Sequence, residues 1–262
     1  MSAESSATTR WGLIGAVAAL VLIVIFSSAT VISALSSPDS ASGQEVAEDS
    51  GLTRDQRTTV RDQIGRTVYS PLNEGGDVFE PTKGMDENSS SYFTFRPDVE
   101  WQRLSGWTKK SVARDYPYSA VAGPWEVTDG IAHSFARSPQ GAALAGIHML
   151  NGLAQGGERA AKATIRFVDD DLSVEIAEQM LAEPEGPQLP EQSWSSAYAS
   201  YTILDYSDDE ATIRYGLADG DGYASWDLTV HWVGEDWKMR ANSVAPELRP
   251  QGKEMVTRWV TL

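Results

Sequence analysis

The longest uncharged run of the chain lies between Trp11 and Leu35. Roughly 25 residues at ~1.5 Å rise each reach ~37 Å, enough for a hydrocarbon core ~30 Å thick with some tilt. Its apolar anchoring positions are Trp11, Leu13, Ile14, Leu20, Leu22, Ile25, Phe26 and Leu35, while Gly12, Gly15 and Ala19 put small residues near one face. Small residues there would let two such helices approach closely. Arg10 precedes the run, and no Lys or Arg follows it until Arg54. The more basic flank stays in the cytoplasm. The pattern therefore predicts a single-pass plasma-membrane protein with a cytoplasmic tail at 1–10, a transmembrane helix at 11–35 and everything beyond it extracytoplasmic. The other reading is a cleaved signal peptide, with Leu13–Phe26 as its core and Ser27-Ser28-Ala29 as the small residues after it. The apolar character resumes through Val31, Ile32 and Leu35, which favours the uncleaved anchor. Both readings export the remainder.

Residues 36–50 are Ser-, Ala- and acid-rich and read as a flexible spacer. The linker is drawn over 36–91, with a possible short helix between Leu52 and Val68 on the spacing of Val60, Ile64 and Val68. An exported α+β domain is expected over 92–262. Within it, Trp125–Ala132 reads as a hairpin turning at Asp129-Gly130, a pair suited to a type I′ turn. Ser138 is a good helix N-cap and Pro139 fits the first helical position; Gly156-Gly157 ends that helix. Two further helices, Glu158–Val168 and one ending near Glu183, follow before Pro184, Pro187 and Pro190. After Ser193 the period changes to strand-like. Tyr198–Tyr206, Ala211–Leu217, Tyr223–Val233 and Trp237–Val244 are separated by short acidic or Gly-containing turns. Trp226, Leu228, Val230 and Trp232 alternate with Asp227, Thr229 and His231, giving a strand with one apolar face. Helices first and an antiparallel meander second is the α+β pattern.

Composition narrows the chemistry. The 262 residues contain no cysteine, which excludes disulfides, thiolate catalysis and Cys-ligated metal. Nine Trp, nine Tyr and six Phe must then supply the core of an exported domain. The net charge of −16 repels nucleic-acid phosphate and anionic headgroups, so no direct nucleic-acid partner is expected. The most basic stretch beyond the membrane segment interleaves Trp101, Arg103, Trp107, Lys109, Lys110 and Arg114. It reads either as a contact patch for an acidic or polysaccharide partner or as a strand and turn burying two Trp.

Two stretches resemble known families. The helices and meander, with Leu228-Thr-Val-His-Trp232 turning into Asp236-Trp237-Lys238-Met239, resemble the nuclear-transport-factor-two-like (cystatin-like) fold, a cone of helices on a curved antiparallel sheet. That fold hosts isomerases, dehydratases and scaffolds alike. The second stretch comprises Gly123, Pro124, Gly130, His133, Phe135, Pro139, Gly141 and Leu144. It resembles a motif of an actinobacterial family of membrane-anchored proteins found with conjugative plasmids and integrative elements. Joined to one N-terminal span, both features resemble the bitopic inner-membrane scaffold of type IV secretion machines. The resemblance implies a self-associating, non-enzymatic assembly component with the membrane and other envelope-complex proteins as partners.

Candidate chemistry is sparse. His133 reads as a general base at the mouth of the cone or as a hydrogen-bonded residue tying a turn. His148 reads as a core-edge residue, and His231 shares a strand face with Asp227 and Thr229. No His-x₃-His or His-Glu spacing supports a metal, and nothing calls for a cofactor. An isomerase-like site of this fold would draw on Asp205, Tyr201, Tyr206 and Tyr215; this small-ligand-binding or isomerase-like domain is the alternative to the scaffold. A third reading is contact with the cell wall through the Trp101–Arg114 patch. Arg214, Lys238 and Arg240 are expected to face solvent and to pair across strands with Asp227 or its neighbours.

Overall fold

The computed structural model describes residues 53–105, 113–186, 188–189, 191, 197–219, 222–240, 249–252 and 260–262. The expected span Trp11–Leu35 and residues Trp107, Lys109 and Lys110 lie outside them. Among the described residues, no helix is long and apolar enough to cross a membrane.

Among the described residues the architecture is α+β, with three helices and several sheets. After a 3-10 turn at Arg54–Gln56, β1 (Thr59–Arg61), β2 (Thr67–Tyr69), β3 (Glu100–Leu104) and β4 (Arg114–Tyr118) form one sheet in that order. Strands β5 (Glu126–Thr128) and β6 (Ile131–His133) form a separate hairpin. Helices α1 (Pro139–Ala154), α2 (Gly157–Phe167) and α3 (Asp171–Ala182) follow. A second sheet then runs β10-β9-β8-β7-β12, from β7 (Tyr198–Tyr206), β8 (Glu210–Asp219), β9 (Gly222–Val233), β10 (Asp236–Lys238) and β12 (Val260–Thr261). Strand β11 (Arg249–Gly252) also pairs with β9. Strands β7 to β10 form the expected antiparallel meander, with β10 covering only the start of the expected strand Trp237–Val244, whose residues 241–244 lie outside the described residues.

Helix α1 is the centre of the molecule. It contacts β4 on one side and β7, β8, β9 and β10 on the other, so nearly every residue in it is buried. Its sequence is rich in Ala and Gly, and its buried polar residues Gln140, His148 and Asn151 are hydrogen-bonded to backbone carbonyls, which fits that position. A Cβ at Gly146 would lie 2.1 Å from the Tyr215 hydroxyl, so only glycine admits the sheet this closely. The meander face toward α1 is laid down in register rows. Tyr201, Tyr215 and Trp226 form one row, and Ile203, Ile213 and Leu228 the next. Ile213, Tyr215 and Leu228 are fully buried, and each large apolar side chain removed from water contributes about 1.5–3 kcal/mol. The other face is polar: Thr202, Arg214 and Asp227 share a row, as do Asp205, Thr212 and Thr229.

The short helix expected between Leu52 and Val68 is corrected. The segment is a hairpin in which Val68 is fully buried while Val60 and Ile64 are exposed, so the three do not share a face. Asp62 sets the turn, accepting from Ile64 N and Arg66 N, with Gly65 at φ +84°. Strand β2 pairs in parallel with β3, so this part of the expected linker belongs to the first sheet. Helix α1 begins as its caps predict: Ser138 accepts from Gly141 N at 3.1 Å, with Pro139 next.

Candidate functional site

The Gly123–Leu144 motif is a closely packed junction between the β5–β6 hairpin and α1. The Gly123-Pro124 peptide is cis, and Gly123 has φ +89°. A Cβ on Gly123 would lie 2.9 Å from Phe135 Cα and from Ser134 O. The hairpin turn has φ 52° at Asp129 and 73° at Gly130, the two positive values that a type I′ turn requires. A Cβ on Gly141 would lie 2.0 Å from Ala136 O, so glycine there lets α1 start directly beneath the preceding turn. Phe135 and Leu144 are buried in the main core, and Phe135 packs edge-on against His148 at 5.1 Å.

His133 belongs to this junction. Its Nε2 is 2.9 Å from Thr128 Oγ1 and its Nδ1 is 3.0 Å from Ser134 Oγ, so the ring ties β5 to the turn after β6. Burial, assisted by the Arg166 guanidinium, pushes its pKa down and favours the neutral ring. Ser134 has φ 65°, unusual for a residue with a side chain. Asp236 holds that turn in place: its carboxylate accepts from Ser134 N at 2.8 Å, Phe135 N at 3.2 Å and Trp237 N at 2.9 Å. Burial raises the Asp236 carboxyl above its usual range against the pull of these three donors. Trp237, fully buried, donates from Nε1 to Ala136 O at 2.9 Å. Sequence reading missed this clasp. The Gly-Glu-Asp-Trp turn was visible, but its target lies a hundred residues earlier.

The isomerase-like set is not brought together. Asp205 is exposed on the polar face of the meander and accepts from Tyr206 N at 3.0 Å. Tyr215 points the other way and donates to Ala143 O at 2.8 Å. Burial raises the Tyr201 and Tyr215 hydroxyls far above their ordinary range. Tyr206 is half-buried beside Tyr92 and Phe93. The face that would form a pocket is filled by α1 and by the aromatic rows of the sheet itself. His148 lies deeper than a core edge: Tyr116, Tyr118 and Phe135 surround it, and Nε2 bonds Pro117 O at 2.8 Å. Burial pushes its pKa down to about 3. His231 pairs with Asp169 at 2.8 Å. No group of His, Asp and Glu among the described residues could hold a metal ion.

The aromatic–basic stretch does not form one exposed patch. Trp101 and Arg114 are each 4 % exposed, and Arg103 is bound by both Asp115 oxygens at 2.7 and 2.9 Å. Arg214 does pair with Asp227 as expected, at 2.6 and 2.8 Å, and Arg240 is exposed. Arg66 stacks over Trp101 at 3.8 Å. A second polar cluster went unread in the sequence. Arg57, 2 % exposed at its side chain, bridges Asp77 at 3.1 Å and Glu100 at 2.7 Å. The Asp77 carboxylate also accepts from Leu72 N and Asn73 N.

The chain matches the family described as "Domain of unknown function (DUF8175)" over residues 80–261. It belongs to that family. The DUF8175 region takes in the motif junction, all three helices and the meander; the β1–β2 hairpin precedes it. No curated protein and no solved structure matches the chain.

Proposed function

We propose that the chain is a non-enzymatic, membrane-anchored scaffold of a cell-envelope assembly of the type IV secretion-like, conjugative kind. In this reading Trp11–Leu35 spans the plasma membrane, the tail 1–10 is cytoplasmic, and the folded region is extracytoplasmic. The observation that carries the reading is the filled inner face of the meander. Tyr215 is hydrogen-bonded to α1, and Gly146 admits no side chain between them. A ligand-binding or isomerase-like use of a cone needs an open cavity with converging polar groups. Here Asp205 stands on the opposite face from Tyr201 and Tyr215.

The nuclear-transport-factor-two-like assignment belongs to the same proposal. It is supported by the antiparallel β7–β10 meander lying across α1. The likeness to actinobacterial proteins of conjugative elements rests on the Gly123–Leu144 motif, which here is a folding junction. Partners in this reading are the membrane, further copies of the chain and other envelope-complex proteins. The net charge of −16 argues against direct nucleic-acid contact. The test is cross-linking of the full chain in its own membrane, followed by purification and mass spectrometry. Cross-linked multimers recovered with transfer-channel subunits support the proposal. A monomer that saturably binds a small apolar ligand contradicts it.

A further inference from the structure

A cleft of about 660 Å³ opens between the Leu72–Val78 loop and the start of the β5–β6 hairpin, away from the meander. Its size falls in the range of small-molecule sites, about 300–1,000 Å³. One side carries Trp125, whose indole N–H donates to Ala120 O at 3.1 Å. The edge of the ring is thus engaged by the protein, and the half-buried indole lines the cleft. Around it stand four polar side chains with planar ends, Arg54, Asn73, Asp77 and Glu126; Asn73 Nδ2 donates to Asp77 at 2.9 Å, and Arg54 Nη2 donates to Asp77 O at 3.1 Å and Glu100 at 3.2 Å. Arg54 is 35 % exposed at its side chain and stacks on Phe79 at 3.6 Å. Glu126 and Asn73 are exposed.

The walls are rigid before any ligand arrives. Asp77 fixes the loop by accepting from Leu72 N, Asn73 N and Arg57, and its own N–H donates to Gln102 Oε1 at 2.7 Å. Tyr118 donates to Gly75 O, and a Cβ on Gly76 would fall on the Tyr118 ring. A preorganised site loses less free energy to ordering on binding.

The lining also selects a class of ligand. Asp77 is paired with Arg57 and Glu126 balances Arg54, so the cleft offers an anion no surplus of positive charge, in a chain of net charge −16. A cleft lined by an indole, an exposed amide and an exposed carboxylate suits a neutral ring that is apolar on its faces and hydroxylated at its rim. We infer that this cleft binds a neutral saccharide.

The test uses the full chain in detergent with chitotriose, cellotriose and maltotriose as probes, read by saturation-transfer NMR, and with purified peptidoglycan sacculi, read by co-sedimentation. Glu126→Gln keeps the shape and lies on an exposed side chain; Trp125→Phe keeps a ring; Glu178→Gln on α3 is the control. At least one trisaccharide or the sacculi should bind. Trp125→Phe should weaken that binding about tenfold, Glu126→Gln should weaken it several-fold, and the control should match the parent. Binding to sacculi alone assigns the glycan to the wall, and binding to a free trisaccharide assigns a soluble source. No binding to any probe overturns the inference. So does binding that both cleft variants leave unchanged, or signal competed by a peptidoglycan stem peptide and not by glycan.

Discussion

Mild acid should destabilise this protein through one buried histidine. His148 lies inside the molecule among Tyr116, Tyr118 and Phe135, and its pKa is pushed down to about 3 by burial, with Arg159 adding repulsion. The unfolded chain would titrate this ring near the ordinary ~6.5. Between those values the unfolded state holds a proton that the folded state does not, so stability falls as pH falls. The contribution is fully present above ~6.5 and is lost progressively down to about 3. Each pH unit in that window is worth about 1.36 kcal/mol, so pH 5 removes about 2 kcal/mol from a typical total of 5–15. The assay is urea unfolding of the full chain in mild detergent at pH 7.5, 6, 5 and 4.5, for the parent and for His148→Gln. The variant should be less stable at neutral pH, yet its stability should fall by about 2 kcal/mol less than the parent's between pH 7.5 and 5. Carboxylates titrate in both proteins and cancel in the comparison. Parallel curves would refute the reasoning, because they would mean that the ring accepts a proton in the folded state at little cost.

Three further outcomes follow from the same packing. Gly141→Ala places a methyl 2.0 Å from Ala136 O and should cost several kcal/mol, seen as loss of cooperative thermal unfolding, whereas alanine at the exposed end of α3, for instance Glu178→Ala, should change little. Arg57→Ala leaves Asp77 and Glu100 without their shared partner and should destabilise by about 3–5 kcal/mol in denaturant titrations. Asp236→Ala leaves the Ser134, Phe135 and Trp237 N–H groups without their acceptor; it should cost about 3 kcal/mol or more and speed amide exchange at those three positions first.

The parts of the fold that local chemistry dictates were legible. Ser138-Pro139 announces α1 because the cap and the missing N–H both act within one turn. Asp129-Gly130 announces the β5–β6 hairpin because few residue pairs accept two positive φ values. The β7–β10 meander follows from strict alternation with short turns. The β1–β2 hairpin was obscured because Val60, Ile64 and Val68 suit a helical stripe as well as they suit two strands, and the deciding signal was Asp62 with Gly65. The Asp236 clasp and the Arg57–Asp77–Glu100 cluster join residues far apart in the chain, and no local pattern encodes such a contact. In the basic stretch the strand reading holds for Trp101 and Arg114, which are covered once β3 and β4 close, and choosing between that reading and a contact patch needed the partner strands in place. The filled inner face could be read only after helix and sheet were placed together.

The central claim is that a folded region with a filled interior is held outside the membrane by a helix near the N-terminus. Paired fusions at Leu262, one to a phosphatase active only outside the cytoplasm and one to a protein fluorescent only within it, test this most directly. The account predicts phosphatase activity in the membrane fraction, no fluorescence, and a full-length band still carrying a tag at residue 1. Fluorescence without phosphatase activity would contradict it.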